Sequence, residues 1–596
     1  MKSKPRAVFM AFGTKGDVYP VAAIAAAFAS DQEQYQVVFI THSAHEVSKS
    51  GRVFILYFWN LRMHLRANQV MYIPVSSPPA VSPLEHYGST EVTFSAHKRE
   101  ITQNHRHECT LIFEDIFGDV PNVEGDLIAI NFFALEGWSL AELFQIRCIV
   151  VAPYVVPYSA PSSFERQFRK ELPDLYKYLQ EAPSHKVGWK DVIHWMWPLF
   201  AEEWGSWRSL DLKLSAFPFT DPVTGLPTFH ERLPSPLLLK TAIALSDIRI
   251  FSSNRHYPGA CITFCKEELL SDIQWLDDSD EKTRLLSHLS QIVLSMQKVI
   301  INEAILRKLL WFSVAIELIS ENLYYLGYWP SKVRVCGFWF PPRKWQFSCN
   351  DCAEISASGI SGNLNKQNKL CSARLGLQFF IKFPAKELPV FIGLSSVGSM
   401  GFLRNSRAFL RVLGTALDIS GCRFILFSAG YKPLEEAIES YAKEASSCSE
   451  QTHWSNEGVS LFGGRLFCFC GSVPYNWLFP RCAAAVHHGG SGSTAAALQA
   501  GVPQVICPFM LDQFYWAERM FWLGVAPEPL RREHLVPDKD EDFYIKEAAN
   551  MLVRALDYTQ TSEVKARALQ ISNKLSNEDG VSEAVRLIKE ELRSCQ

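Results

Sequence analysis

A chain of 596 residues is long enough for two or more domains, and with 48% hydrophobic and 20% charged residues it is globular rather than disordered. A net charge of −3 offers no global basic field, which argues against nucleic acid as a partner. The 15 cysteines are scattered without a dense framework, the opening MKSKPRAVFMAFG runs into a strand pattern rather than a signal peptide, and no run of about 18 uncharged apolar residues occurs. A cytoplasmic protein without a membrane span is expected; peripheral membrane contact stays open.

Residues 7–12 (AVFMAF) are patterned as a buried strand, and Gly13, Thr14, Lys15, Gly16 and Asp17 as the turn after it. An alanine-rich helix over 21–29 is expected next, with Pro20 at its first position. Residues 35–41 (YQVVFIT) form the following strand. Strand, turn, helix and strand make an opening βαβ unit, whose ligand side lies at the carboxyl ends of the strands, where Asp17 stands. Further strands are expected at 72–75, 127–131 and 148–152, with a helix at 136–144. The stretch 154–236 is rich in Pro, Trp and Phe, with helical pieces around 164–179 and 189–212; taken singly, its aromatics read as core. Residues 341–384 carry Cys349, Cys352 and Cys371, with Cys336 just upstream. A single CxxC without a second close pair is a weak zinc signal, so free thiols in a linker, and no metal, are expected.

The second half begins with a strand at 389–394 (PVFIGL), a Ser/Gly loop at 395–401 and a helix at 402–416. Strands follow at 423–428 and 466–470, with a connector at 473–479. The most informative stretch is 483–512, AAAVHHGGSGSTAAALQAGVPQVICPFMLD. It reads as a strand at 483–486, a glycine-rich loop at 487–492 and a helix at 494–500 that Ser493 N-caps and Gly501 and Pro503 end. A glycine-rich turn feeding a helix N-terminus favours a phosphate, through free N–H groups and the positive end of the helix dipole. His488 adds a side-chain donor there, and Ser493 and Thr494 add hydroxyls. The loop lacks the lysine of GxxxxGK[ST], so it is not an ATP-type P-loop. A helix at 513–522 follows Asp512, and the chain ends in helices at 540–556, 562–575 and 581–592.

Four pieces, HHGG at 487–490, GST at 492–494, AGVPQ at 500–504 and DQFYWA at 512–517, resemble in order the donor-binding signature of nucleotide-sugar glycosyltransferases of the two-lobed GT-B fold. Sterol glucosyltransferases and bacterial antibiotic glycosyltransferases are the nearest in pattern. The turn from Gly13 to Asp17 is similar to their G-[ST]-R-G-D-V-x-P, with Lys15 in place of the arginine. The resemblance spans roughly 6–46, 60–239 and 328–590. It implies an α/β chain of two Rossmann-like lobes with parallel sheets facing across a cleft. An acceptor lobe would occupy 1–239, a linker 328–388, and a nucleotide-sugar lobe with terminal helices 389–596. Against that pattern, 47–59 and 240–327 read as insertions, as retained intron sequence would.

The chemistry so implied is inverting transfer of a hexose, glucose from UDP-glucose, to the hydroxyl of a lipophilic alcohol such as a sterol, with no metal and no other cofactor. Diphosphate leaving demands aimed donors. His488, the amides through Gly490 and Gly492, Ser493 and Thr494 would supply them, with a second cradle at Ser396, where Ser395 replaces the family's second glycine. Asp512 and Gln513 would hold sugar hydroxyls, the main chain at Ser472 and Val473 the base, with Trp477 a weaker candidate for stacking. Asp17 would be the general base, on the turn whose Gly13, Thr14 and Gly16 would join the donor-binding residues. Asp17 and Asp512 also read as helix caps. The D-x-D triplets at 278–280 and 538–540 sit in charge runs and read as surface. Two rivals remain: transfer to another small lipophile (terpenoid, polyketide or phenolic), and a non-catalytic homologue that binds nucleotide sugar or lipid.

Overall fold

Short apolar runs without charge are what parallel strands need when both faces are covered, and the computed structural model contains two sheets built from them. The residues it describes are 4–45, 61–76, 91–118, 125–152, 160, 162–183, 187–200, 202–220, 224, 227, 237–239, 333–347, 349, 351–352, 354–355, 370–383, 388–394, 398, 401–428, 431–447, 454–455, 458–469, 471, 473–510 and 512–593. The expected insertions at 47–59 and 240–327, the triplet at 278–280, and Ser395, Ser396 and Ser472 lie outside the described residues.

The first sheet comprises β1 (Arg6–Met10), β2 (Gln36–His42), β3 (Met71–Val75), β4 (Leu127–Ile130), β5 (Arg147–Ala152), β6 (Leu237–Leu239) and β7 (Val333–Val335). Its order is β3-β2-β1-β4-β5-β6-β7, and every pair is parallel. Residues 333–335, within the stretch expected as linker, therefore complete the first sheet. The second sheet comprises β8 (Val390–Gly393), β9 (Phe424–Phe427), β10 (Trp454–Ser455), β11 (Gly458–Leu461), β12 (Leu466–Phe469), β13 (Ala485–His487) and β14 (Gln504–Ile506). Its order is β10-β11-β12-β9-β8-β13-β14, parallel from β12 to β14, with β10 and β11 as an antiparallel edge.

Counted in parallel strands, both lobes run third, second, first, fourth, fifth about their first strand. Each therefore has a topological switch point, between β1 and β4 and between β8 and β13, and a crevice opens outside the carboxyl ends of strands at such a point. The α/β class expected from the sequence is the observed one.

Alternate residues of each strand enter different cores. Val8, Met10, Ile128 and Ile130 pack on one face of the first sheet, and Ala7, Phe9, Leu127 and Ala129 on the other. Phe168, Trp189, Phe200, Trp207 and Phe219 lie in the first of these clusters, with Trp189 at 5.0 Å from Phe168 and 4.7 Å from Tyr176 between ring centroids. Most of the described aromatics of the 154–236 stretch thus belong to this core, with Phe164, Tyr176, Tyr178, Trp204 and Phe217 partly buried against it. In the second sheet Val390, Ile392, Leu426 and Val486 face one cluster, and Phe391, Ile425, Phe469 and Ala485 another.

The first helix spans Lys15–Asp31, with Thr14 as N-cap, rather than starting near Val21. Pro20 is inside it. The expectation placed the start at the proline because Pro is favoured at the first helical position. A capping box upstream starts the helix earlier, so Pro20 falls at its sixth residue, where the missing N–H forgoes one bond to the Gly16 carbonyl. The last helix, Gly580–Arg593, returns to the first lobe. Its Ala584, Val585, Leu587 and Ile588 share a core with Val21, Ile24, Phe28 and Trp345. Lys589 Nζ meets Asp31 Oδ2 at 2.7 Å, and the Arg147 guanidinium donates to the Glu591 carbonyl. Among the described residues no helix is long and apolar enough to cross a membrane.

Candidate functional site

The loop after β13 is organised by His487. Its ring is fully buried, Nε2 lies 2.8 Å from Gln504 Oε1, and Nδ1 accepts the Gly489 N–H at 3.0 Å. Since Nδ1 accepts, Nε2 carries the proton and donates to Gln504. Burial, and then the neighbouring His488, hold its pKa down to about 3 despite the Gln504 bond. His487 is therefore a neutral brace that ties the HHGG piece to the AGVPQ piece. Gly489 has φ +85°, and a Cβ there would sit 2.9 Å from the Gln513 carbonyl oxygen, so the glycine is required by both conformation and space. A Cβ on Gly490 would meet His488 Nε2 at 2.5 Å.

The helix after this loop is Ser491–Ala500, and its N-cap is Gly490, with no side-chain cap. Ser493 is thus the third helical residue and not the cap, and its hydroxyl is hydrogen-bonded to the Tyr475 phenol instead. The Thr494 N–H already bonds the Gly490 carbonyl at 3.0 Å, which leaves the amides of Ser491, Gly492 and Ser493 without intrahelical acceptors. Two buried polar atoms beside them have no hydrogen-bond partner, His488 Nδ1 and Thr494 Oγ1. Nothing lies within 4 Å of where a Cβ on Gly492 would be. Unpartnered buried polar atoms are rare and call for an occupant. The Thr494 hydroxyl and the free amides of the helix end fit an anion such as a phosphate. His488 is pulled down to about 4 by burial, against a hydrogen bond to the Gly393 carbonyl, and is neutral near pH 7. Gly393 pairs with His487 across β8 and β13, so the loops after both strands leave the sheet at the same level.

The tip at 512–513 is more committed than its sequence suggested. Gln513 is buried, and its Oε1 accepts the N–H groups of Phe509 (2.9 Å) and Met510 (3.2 Å). Asp512 makes no side-chain cap of the helix Gln513–Trp522; its Oδ2 takes the Trp516 indole N–H at 3.1 Å. Val473 is buried, and Trp477 lies in the core with the Arg481 guanidinium 4.5 Å from its ring centroid, so the indole is covered. Nearby, a Cβ on Gly471 would meet Arg374 Nη1 at 3.0 Å. Neither Arg374 nor Tyr475 was legible as part of this region, because each reaches it from outside the motif. The triplet at 538–540 is engaged away from this loop: Asp540 pairs with Arg411 at 2.7 Å, and Asp538 with Arg532.

In the first lobe, Asp17 stands at the third position of its helix. Its Oδ2 accepts the Thr14 N–H and the Thr14 hydroxyl, each at 2.7 Å. Asp17 thus sits inside the helix as the reciprocal partner of a capping box whose N-cap is Thr14, and does not cap a helix starting at Pro20. Gly13, at φ +108°, brings the turn so close that a Cβ would lie 2.7 Å from Asp17 Oδ2. Asn131, at the end of β4, latches the turn across the switch point: its Nδ2 donates to the Phe12 carbonyl at 2.8 Å, and its Oδ1 accepts the Phe12 N–H at 3.2 Å. His45 was missed by sequence reasoning. Its Nε2 is 3.0 Å from the Gly13 carbonyl, and burial lowers its pKa. Its signal was the polar tip THSAHE beyond the second strand. Phe12, His42 and His105 pack behind, with ring centroids 4.5 to 5.2 Å apart.

Residues 466–572 match the family model described as Erythromycin biosynthesis protein CIII-like, C-terminal domain. A sterol 3-beta-glucosyltransferase of Arabidopsis thaliana is 38% identical over 112 residues, 19% of this chain and 16% of the relative. One from Saccharomyces cerevisiae is 42% identical over 125 residues, 20% of this chain and 9% of the relative. The matches thus span less than a fifth of either relative's length. A solved calicheamicin glycosyltransferase aligns over 99% of both chains at 12% identity, with a TM-score of 0.48. Residues 466–572 are therefore similar to an EryCIII-like C-terminal domain, and about a fifth of the chain is similar to sterol 3-beta-glucosyltransferases.

Proposed function

We propose that the chain is an inverting glycosyltransferase that moves glucose from UDP-glucose to the hydroxyl of a lipophilic alcohol, a sterol in the first instance. The observation that carries this reading is the pair of unpartnered buried atoms, His488 Nδ1 and Thr494 Oγ1, beside the free amides of a helix N-terminus. A diphosphate accepts from the amides and the Thr494 hydroxyl, and from His488 Nδ1 once the ring takes up a proton in the complex. As the bond between the anomeric carbon and the phosphate oxygen breaks, its electron pair leaves with UDP, and those donors stabilise the growing charge. The acceptor oxygen attacks the opposite face, its proton passes to a base, and an α-linked donor becomes a β-glucoside. Gln513 would meet sugar hydroxyls through its NH2 end, its carbonyl end being engaged. The sterol is the acceptor that the relatives' names supply.

Asp17 is our choice of base, with Thr14 holding the carboxylate in place. His45, beside the Gly13 carbonyl, is the second candidate, because Asp17 also serves as a cap. The test is incubation with UDP-glucose and a mixed pool of lipid acceptors, with products read by mass spectrometry. A steryl glucoside is expected. Product on phenolics or terpenoids alone would reject the sterol. UDP binding with no product on any acceptor would favour the non-catalytic homologue. Turnover should need no added divalent cation and survive brief EDTA, since the leaving charge meets protein donors; strict dependence on added Mg2+ or Mn2+ would overturn that.

A further inference from the structure

The fold brings together three thiols that the sequence keeps apart. Cys349 Sγ is 3.5 Å from Cys371 Sγ, Cys352 Sγ is 3.3 Å from it, and all three lie within 4.8 Å of one another. Each side chain is buried, among Phe347, Leu370, Leu377 and Phe380. Cys349 and Cys352 stand three residues apart in sequence, and Cys371 precedes the short helix Ser372–Arg374. The Cys371 N–H donates to Cys352 Sγ at 3.3 Å. The spacings are too long for a disulfide, which needs about 2.05 Å. They approach the separation of about 3.8 Å expected between thiolates at about 2.3 Å from one tetrahedral zinc. Three neutral thiols packed this closely in an apolar pocket make only weak S–H contacts, whereas a soft cation engages all three sulfurs.

We propose that Cys349, Cys352 and Cys371 bind a structural zinc ion as thiolates. Among the described residues they are the one group of three His, Cys, Asp or Glu donors that converge in this way. The three sulfurs leave a fourth position, filled by water or a further side chain. The ion would staple the stretch between β7 and β8 to the face of the second sheet formed by Phe391, Phe467 and Phe469. Cys371 leads within three residues to Arg374, which abuts Gly471, so the staple also steadies that loop. Because the ligands must lose their protons, zinc should be released as the pH falls.

The test uses the full chain, purified without chelator, and reads metal rather than activity. Elemental analysis should find about one zinc per chain, in keeping with a single thiolate site. Mercurial titration should release it, and cobalt reconstitution should give thiolate-to-cobalt charge-transfer bands. Cys349→Ser and Cys371→Ser should lose the metal, while Cys422→Ser, outside the cluster, should keep it. If the variants fail to fold, the native stoichiometry and the cobalt spectrum still decide. A chain with no zinc that gives no thiolate bands on cobalt titration would overturn the site, as would a Cys352–Cys371 disulfide in freshly isolated protein.

Discussion

His487 and His488 are adjacent in sequence and differ in what they hold. His487 has both ring nitrogens committed inside the protein, while His488 keeps Nδ1 unpartnered. Both are depressed by burial, to about 3 and about 4, and His105 is likewise held down to about 4. Below pH 6.5, the ordinary histidine value, the unfolded chain takes up protons at these sites and the folded chain does not. Stability should therefore be complete above that pH and fall steadily as the pH drops toward 4, by about 1.4 kcal/mol per pH unit for each such histidine. Thermal melts between pH 7.5 and 4.5 measure this, and a flat profile would contradict it. Thr494→Val removes a hydroxyl that has no partner in the free protein, so the melting temperature should hold or rise. UDP affinity should weaken about tenfold, the equivalent of one lost hydrogen bond to a charged ligand. Calorimetric titration with UDP checks it. Asp17→Asn keeps an oxygen for the cap but cannot take a proton. Turnover should fall about 100-fold or more at unchanged UDP affinity. A comparable loss in His45→Ala with Asp17→Asn near normal would move the base to His45.

At the scale of the element, the loop and helix from His487 to Ala500 depend on glycine in two distinct ways. Gly489 is held by its positive φ and by the Gln513 carbonyl, whereas Gly492 faces open space. Gly489→Ala should destabilise the protein by about 2 kcal/mol or more, from left-handed strain and a backbone clash, and should weaken UDP binding with it. Gly492→Ala should leave the melting temperature nearly unchanged and still weaken UDP binding, because the added methyl enters the space left for the ligand. Denaturation curves read alongside UDP titrations separate the two. The helix itself was legible from the alanine run and from Gly501, which ends it at φ +67°. Its start was not. Serines at 491 and 493 both qualify as caps by residue type, and the backbone at Gly490 made the choice, leaving Ser493 to bond a tyrosine from another segment.

For the molecule as a whole, the last helix is the element that the distant parts of the chain share. Gly580 is wedged against residues 336–338: a Cβ there would lie 2.5 Å from the Phe338 carbonyl oxygen and 2.6 Å from the Gly337 carbonyl carbon. Gly580→Ala should therefore destabilise by about 2 kcal/mol or more, since backbone cannot move aside as a side chain does. Ending the chain after Glu578 would uncover the surface that Leu587 and Ile588 bury on the first lobe. We expect that truncated protein to show faster proteolysis within the first lobe, at sites that are protected in the full chain. Peptide mapping after limited trypsin digestion checks it, and an unchanged cleavage pattern would show that the helix contributes little.

The sequence by itself determined what is local or periodic. The apolar runs of the principal strands, the glycine-rich turn before a helix and the ordered motif pieces at 487–517 are patterns that neighbouring residues impose on one another. These sufficed for the α/β class and for the glycine-rich loop that feeds a helix. The tertiary structure decided which side chains have anything left to give. It joined His487 to Gln504, bound the Gln513 oxygen to backbone, turned Asp512 to an indole, covered Trp477, and left His488 Nδ1 and Thr494 Oγ1 unpartnered. It also placed Cys371 beside a CxxC at a separation of 19 residues, and His45 beside Gly13 at a separation of 32. Hydrogen bonds and metal ligation are short-ranged in space and indifferent to distance along the chain, so motif spacing cannot reveal them.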